Sequence, residues 1–253
     1  MKEVLSTHCK LFWEAVTRMF ERPHHQRIAE LLHAMDGKLL HERHCYFGGG
    51  TAIALRYGEY RESVDVDFVV SDVTGYRELR RVLRDQENLT PLLVEKNPAL
   101  SLHSQIRADQ YGIRTIVDVS GTPVKLEIIL EGRIELDTPG RNDHICGVPT
   151  LTPEDMATCK LLANSDRWAD SSVFSRDVID LAMMRLPAKK LRSAVAKAEQ
   201  AYGASVRRDL DKAIDRLRNQ EILERCMQVM AMNVPKAVLW QNLQALARKS
   251  RTK

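Results

Sequence analysis

The sequence predicts an α+β protein: a part with both strands and helices over roughly residues 40–150, followed by an all-helical part. Three observations predict it. Val64–Val70 (VDVDFVV) alternates strictly, and Gly112, Gly121 and Gly132 punctuate three further runs of strand character. After Pro153 the apolar spacing is helical almost to the end. The charge also divides: residues 1–180 carry 22 Lys+Arg against 28 Asp+Glu, a net −6, and residues 181–253 carry 16 against 6, a net +10. The division is placed at 150, giving a core with N-terminal helices over 1–150 and a helical domain over 151–253 that is basic beyond 181.

The elements follow in order. Leu11, Phe12, Ala15, Val16, Met19 and Phe20 recur at helical spacing over 10–35, and Pro23 sits where a second helix can start. Cys45-Tyr46-Phe47 reads as a short strand entering the turn Gly48-Gly49-Gly50. Thr51–Tyr57 reads as a short helix capped by Thr51. Residues 75–87 form an amphipathic helix, and Ser120-Gly121-Thr122-Pro123 is a hairpin turn between two strands. Further helices are expected over 153–166, 172–186, 188–201, 204–218, 220–231 and 234–250.

The composition excludes several classes. With 253 residues, 44% hydrophobic and 28% charged, the chain is an ordinary globular one, neither disordered nor collagen-like. No apolar run approaches the roughly 18 residues of a membrane span. MKEVLSTHCKLFWEA lacks the apolar core of a secretory signal. Five cysteines, odd in number and never in CxxC spacing, point to a reducing cytoplasm. His41, His44 and Cys45 lack a fourth ligand at zinc spacing, and Trp13, Trp168 and Trp240 are isolated.

The informative stretch is Gly48–Val70 (GGGTAIALRYGEYRESVDVDFVV). Glycines ahead of a helix let backbone approach a phosphate, and the helix N-terminus supplies free N–H groups. That signal alone is weak. Asp65 and Asp67 sharpen it: two carboxylates on one strand face repel each other, and their desolvation costs several kcal/mol unless a cation compensates. Mg²⁺ with phosphate oxygens answers that need.

Gly49-Gly50-Thr51-Ala52, Leu55, Arg56, Arg61, Ser63, Asp65 and Asp67 together resemble the AbiEii/AbiGii toxin-type nucleotidyltransferases of the DNA polymerase β-like superfamily. The departures are an extra glycine at 48 and threonine at 51 where many members have serine. The likeness continues into a helical signature, Lys160, Arg167 and Arg176-Asp177-Val178-Ile179-Asp180-Leu181, and covers about residues 40–185. The resemblance implies a polymerase β-like core, a mixed sheet flanked by helices, and a third carboxylate on a neighbouring strand, with Glu127 the better candidate and Asp118 its rival. It implies Asp65, Asp67 and Glu127 as ligands of two Mg²⁺ ions. Gly49, Gly50 and Thr51 would cradle the NTP phosphates, Lys160 would neutralise them, and Arg61, Ser63 and Arg167 would assist. Asp177 or Asp180 would hold Lys160 or help activate the acceptor hydroxyl.

The expected reaction moves NMP from an NTP to an acceptor hydroxyl, with RNA, tRNA in particular, as acceptor. The basic tail suits phosphate contact or an acidic antitoxin; 187–218 alone holds 9 Lys+Arg against 4 Asp+Glu. A γ-phosphotransferase and a non-catalytic nucleotide- or RNA-binding module on the same fold stand as alternatives.

Overall fold

The computed structural model describes residues 19–95, 97 and 99–251. The helical reading over 10–18 lies outside them. Helix α1 (Pro23–Ala34) starts with proline at its first position, where a missing N–H costs nothing. A short helix not foreseen from the sequence, α2 (Gly37–Glu42), follows, capped by Asp36 accepting from the Leu39 amide.

Strands β1 (Cys45–Gly48), β2 (Val66–Val70), β3 (Leu100–Leu102), β4 (Arg107–Ala108), β5 (Gly112–Val119) and β6 (Thr122–Leu130) form one mixed sheet in the order β1-β2-β6-β5-β3, with β4 beside β5. Pairs β1–β2 and β5–β6 are antiparallel, whereas β2–β6 is parallel. The alternation that predicts β2 comes from its two faces. Val66, Phe68 and Val70 are fully buried, and Asp67 turns to the other side. The β5–β6 hairpin turns on Ser120 and Gly121, both at positive φ (51° and 84°), the geometry of a two-residue type I′ loop.

Helix α3 (Gly49–Arg56) leaves β1 directly, and α4 (Val73–Gln86) is capped by Asp72 accepting from the Thr74 and Gly75 amides. The expectation that Thr51 caps α3 is corrected. The helix begins two residues earlier with Gly48 at the cap, and the Thr51 hydroxyl instead donates to the Asp65 carbonyl. A small hairpin, β7 (His144–Ile145) and β8 (Val148–Pro149), was also not foreseen; two-residue strands carry no periodicity to read.

The helical part comprises α5 (Pro153–Arg167), α6 (Arg176–Met184), α7 (Ala188–Tyr202), α8 (Ser205–Arg216), α9 (Gln220–Val229) and α10 (Lys236–Arg251). These match the expected helices closely except at α6. The stretch expected to be helical from 172 begins as a single 3₁₀ turn, Ser171–Val173. Phe174 and Ser175 then both adopt φ of 51°, which breaks the helix until Arg176. One continuous cluster of buried apolar side chains runs from Phe20 through the sheet (Phe47, Phe68, Val117) to Leu239 and Leu246 of α10. The sheet and the helices therefore share a core. The observed class is the expected one: a mixed sheet flanked by helices, with a helical C-terminal part.

Candidate active site

The parallel pairing of β2 and β6 builds the floor of the site. Its register sets Asp67 opposite Glu127, and β1 sets Gly48 opposite Asp67 on the other side. Asp65 lies just ahead of β2. These three carboxylates line a cleft of about 430 Å³ together with Gly49, Gly50, Arg61, Ser63, Lys160, Arg167 and Asp177. Asp118, the rival third carboxylate, is elsewhere: it pairs across the ladder with Pro123 and accepts from the Gly121 amide at the hairpin.

The glycines are required by the protein's own side chains. Gly49 has φ of +67°, and a Cβ there would lie 2.3 Å from Asp67 Oδ2. A Cβ on Gly50 would lie 2.2 Å from Arg61 Nη2. The turn thus lets one carboxylate and one guanidinium reach the first turn of α3. Thr51 is buried behind the cleft and outside its lining. Its hydroxyl lies 2.8 Å from Ser63 Oγ and ties the 63–65 segment to α3.

The acidic end is electrostatically strained. Burial, then the charges of Asp65 and Glu127, push the Asp67 carboxyl up to about 6, against the opposing pull of Lys160 and Lys125. Glu127 is held by Lys125 Nζ at 2.7 Å and Arg114 Nε at 3.1 Å. Among the described residues, no three His, Cys, Asp or Glu side chains close into a ready-made metal cage.

The helical wall is the opposite case. Asp180 is fully buried and receives Arg61 bidentately (2.7 and 2.9 Å), the Tyr60 hydroxyl (2.6 Å) and Lys160 Nζ (2.7 Å). Asp177 receives Lys160 Nζ (2.9 Å) and Arg167 bidentately (2.7 and 2.9 Å). Burial alone would raise both carboxyls. Lys160 and Arg167 at Asp177, and Arg61 and Lys160 at Asp180, overcome it and hold both below the usual carboxylate range. The i, i+3 spacing on α6 thus makes both aspartates grip Lys160. Asp180, sealed behind Arg61 and Tyr60, does not reach the cleft, so its expected option of activating an acceptor hydroxyl is withdrawn.

Other residues of the site escaped the sequence reading. Lys125 had a signal, since it sits two residues from Glu127 on one strand and therefore on the same face. Glu131 continues the same alternation, and Arg176, part of the helical signature, was given no role; Tyr60, Arg114 and Arg133 had no such signal, because pairing across strands and helices brings them in. Cys159 lines the cleft, but burial, followed by the charge of Glu131, pushes its thiol up to about 12.

Glycines opening a helix, carboxylates on the adjacent strand pair and a cationic helical wall define the class of the nucleotidyltransferases, and comparison with known proteins gives the family. The model of the family described as nucleotidyl transferase AbiEii toxin, Type IV toxin–antitoxin system, matches residues 31–247. The chain belongs to this family, as the motifs of its sequence imply. Among solved structures it is similar to JHP933 from Helicobacter pylori, at 17% identity over 91% of this chain and 94% of that one, with a TM-score of 0.51. It also aligns with the nucleotidyltransferase toxin MenT4 from Mycobacterium tuberculosis at 14% identity over 91% of this chain and 88% of that one, with a TM-score of 0.45. A search of curated proteins gives no significant match. No helix among the described residues is long and apolar enough to cross a membrane.

Proposed function

We propose that the protein transfers NMP from an NTP to an acceptor hydroxyl of RNA, tRNA in particular. It would act in the cytoplasm as the toxin half of an AbiE-like abortive-infection pair, with a cognate antitoxin as partner. The observation that carries this reading is the register that sets Asp67 opposite Glu127, with Asp65 beside them, in a cleft whose other wall is cationic. Burial and the two like charges push the Asp67 carboxyl up to about 6, in keeping with that crowding. A half-buried acidic cluster of this kind gains from a divalent cation.

The donor set fits Mg²⁺. Asp65, Asp67 and Glu127 offer hard oxygens, and substrate phosphate and water complete the shell of such an ion. When bound, the metal, with two ions expected, lowers the pKa of the acceptor hydroxyl and neutralises charge at the α-phosphate. The protein's own groups do the rest. The first amides of α3 donate to phosphate oxygens, aided by the helix dipole. Arg167 and Arg176 line the same cleft and counter the triphosphate charge. Lys160 acts at one remove, because its ammonium is already shared by Asp177 and Asp180. Thr51 and Ser63 fix the segment that carries Asp65. The acceptor oxygen forms its bond to the α-phosphorus as the bond to the β-phosphate oxygen breaks. Pyrophosphate leaves, and the hydroxyl proton passes to the carboxylate cluster. The basic helical half offers contacts for an RNA backbone or an acidic antitoxin, with the salt dependence such contacts carry.

The experiment is incubation with total RNA and each NTP labelled in turn at the α- or the γ-phosphate, with and without Mg²⁺. Transfer of the α-label to RNA supports the reading. Transfer of the γ-label alone makes the protein a phosphotransferase, and no transfer of either leaves it a binding module.

A further inference from the structure

Beyond the carboxylates, the cleft floor continues along the same strand pair. The next residues on that face, Val69 and Ile129, are register partners, one two-residue step (~6.6 Å) past Asp67 and Glu127. Ile129 keeps 36% of its surface exposed, an apolar side chain bare on the cleft floor. Met156, Cys159 and Ala163 of α5 line the same cavity. The next step ends in a polar rim. The buried Glu131 carboxylate binds the Arg133 guanidinium through Nε (2.8 Å) and Nη2 (2.5 Å), Nη1 donates to the Tyr202 hydroxyl with Asp166 3.5 Å away, and the guanidinium lies over the Tyr202 ring, which leaves one Nη2 hydrogen and the Asp166 carboxylate for a ligand. The floor therefore runs from acidic, to flat and apolar, to a hydrogen-bonding edge. That is the order of chemistry along a nucleotide: phosphates, then sugar and base faces, then base edge.

Resting on the proposed nucleotide transfer, we infer that Val69, Ile129, Met156, Cys159 and Ala163 form the nucleoside subsite for the donor NTP, with Arg133 and Asp166 reading the base edge. Calorimetry of the full chain with Mg²⁺ compares each of the four NTPs with inorganic triphosphate, in wild type, Ile129→Ser and Arg133→Met. Wild type is expected to bind its best NTP about tenfold or more tighter than triphosphate. Ile129→Ser weakens NTP about fivefold and leaves triphosphate unchanged, and Arg133→Met reorders the four bases. Equal affinity of wild type for NTP and triphosphate overturns the subsite. So does an equal loss for both ligands in Ile129→Ser, or an Ile129→Ser effect confined to the terminal base of the acceptor in transfer assays. Failure to bind either ligand would count instead against the nucleotide-transfer reading.

A second inference stands on separate contacts. His25 is fully buried; its Nδ1 lies 2.7 Å from Glu59 Oε1, and its Nε2 lies 3.2 Å from the Ser63 amide nitrogen. The Ser63 N–H can only donate, so Nε2 accepts and the imidazole proton sits on Nδ1, toward Glu59. Glu59 in turn accepts from the backbone amides of Glu21 and Arg22. The ring thus braces, from behind, the segment that carries Arg61, Ser63 and Asp65 into the cleft.

We propose that His25 is a positioning residue for the transfer reaction, acting through the Ser63 amide. Two variants separate this from a merely structural part. His25→Gln keeps an acceptor where Nε2 stands, and His25→Asn keeps a donor where Nδ1 stands. Transfer by His25→Gln should stay within about threefold of wild type, while kcat of His25→Asn drops about tenfold with little change in KM for NTP. Activities that instead fall in step with the two thermal midpoints overturn the proposal. NMR of the imidazole nitrogens in the wild-type protein gives a check that needs neither variant nor turnover: a proton on Nε2 contradicts it.

Discussion

Two groups of carboxylates stand on either side of this cleft, one lining it and one set largely behind its wall, and the same residue type behaves oppositely in each. Asp177 and Asp180 sit among Arg61, Lys160 and Arg167, so their charges are matched within the protein and their carboxyls are held low. Asp67 sits between Asp65 and Glu127, and its carboxyl is pushed up to about 6. The first group is complete as folded. In the second, Lys125 and Arg114 hold Glu127, but among the described residues no ion pair reaches Asp65 or Asp67, and the proposed function supplies their cation with the substrate. What separates the two groups is therefore charge balance together with exposure: Asp177 and Asp180 are buried, whereas Asp65, Asp67 and Glu127 are half-buried at the cleft.

The largest expected effect breaks the acidic group. Asp65→Asn should cut NMP transfer by roughly 10⁴-fold, about 5.5 kcal/mol, with the circular dichroism spectrum unchanged; a near wild-type rate removes Asp65 from the site. Next comes the network. Asp180→Ala leaves Arg61 and Lys160 buried without a shared counter-charge and should lower the unfolding free energy by about 4 kcal/mol in urea titrations. Asp67→Asn should do the reverse, stabilising the metal-free protein by about 1–3 kcal/mol while abolishing transfer.

The pH dependence follows from the same contrast. The raised Asp67 carboxyl means that the folded state holds a proton that the unfolded chain has already lost between 3.8 and about 6. Asp67 therefore makes metal-free stability fall as pH rises through that window, and the fall should be missing in Asp67→Asn. Asp177 and Asp180, held low, contribute stability that is fully present above the ordinary aspartate value of 3.8 and is lost only as pH drops below it. The smallest effect is expected of Lys160→Met. Each aspartate keeps an arginine, so KM for NTP should rise roughly fivefold, about 1 kcal/mol. An unchanged KM and kcat would take Lys160 out of the reaction.

Much of this was legible in the sequence. The alternation of β2 gave the shared strand face of Asp67, and the i, i+3 spacing of Asp177 and Asp180 gave their common helix face. Helix boundaries after Pro153 followed the apolar period. Three things were hidden, each for a physical reason. Which carboxylate joins Asp67 depends on the β2–β6 register, which nothing local encodes, so Glu127 and Asp118 could not be separated. The glycines suggested phosphate contact, yet Gly49 and Gly50 first make room for Asp67 and Arg61. The helix expected from 172 is interrupted by Phe174 and Ser175 at positive φ, a conformation that no residue type there announces.

The proposed function requires that the Asp65, Asp67, Glu127 end bind a cation and that the Asp177, Asp180 end not do so. The most direct measurement is the thermal midpoint at neutral pH across a Mg²⁺ titration with an NTP present, for wild type, Asp67→Asn and Asp177→Asn. The midpoint should climb with Mg²⁺ in wild type and in Asp177→Asn, and stay flat in Asp67→Asn. A Mg²⁺ response that survives in Asp67→Asn and vanishes in Asp177→Asn would contradict it.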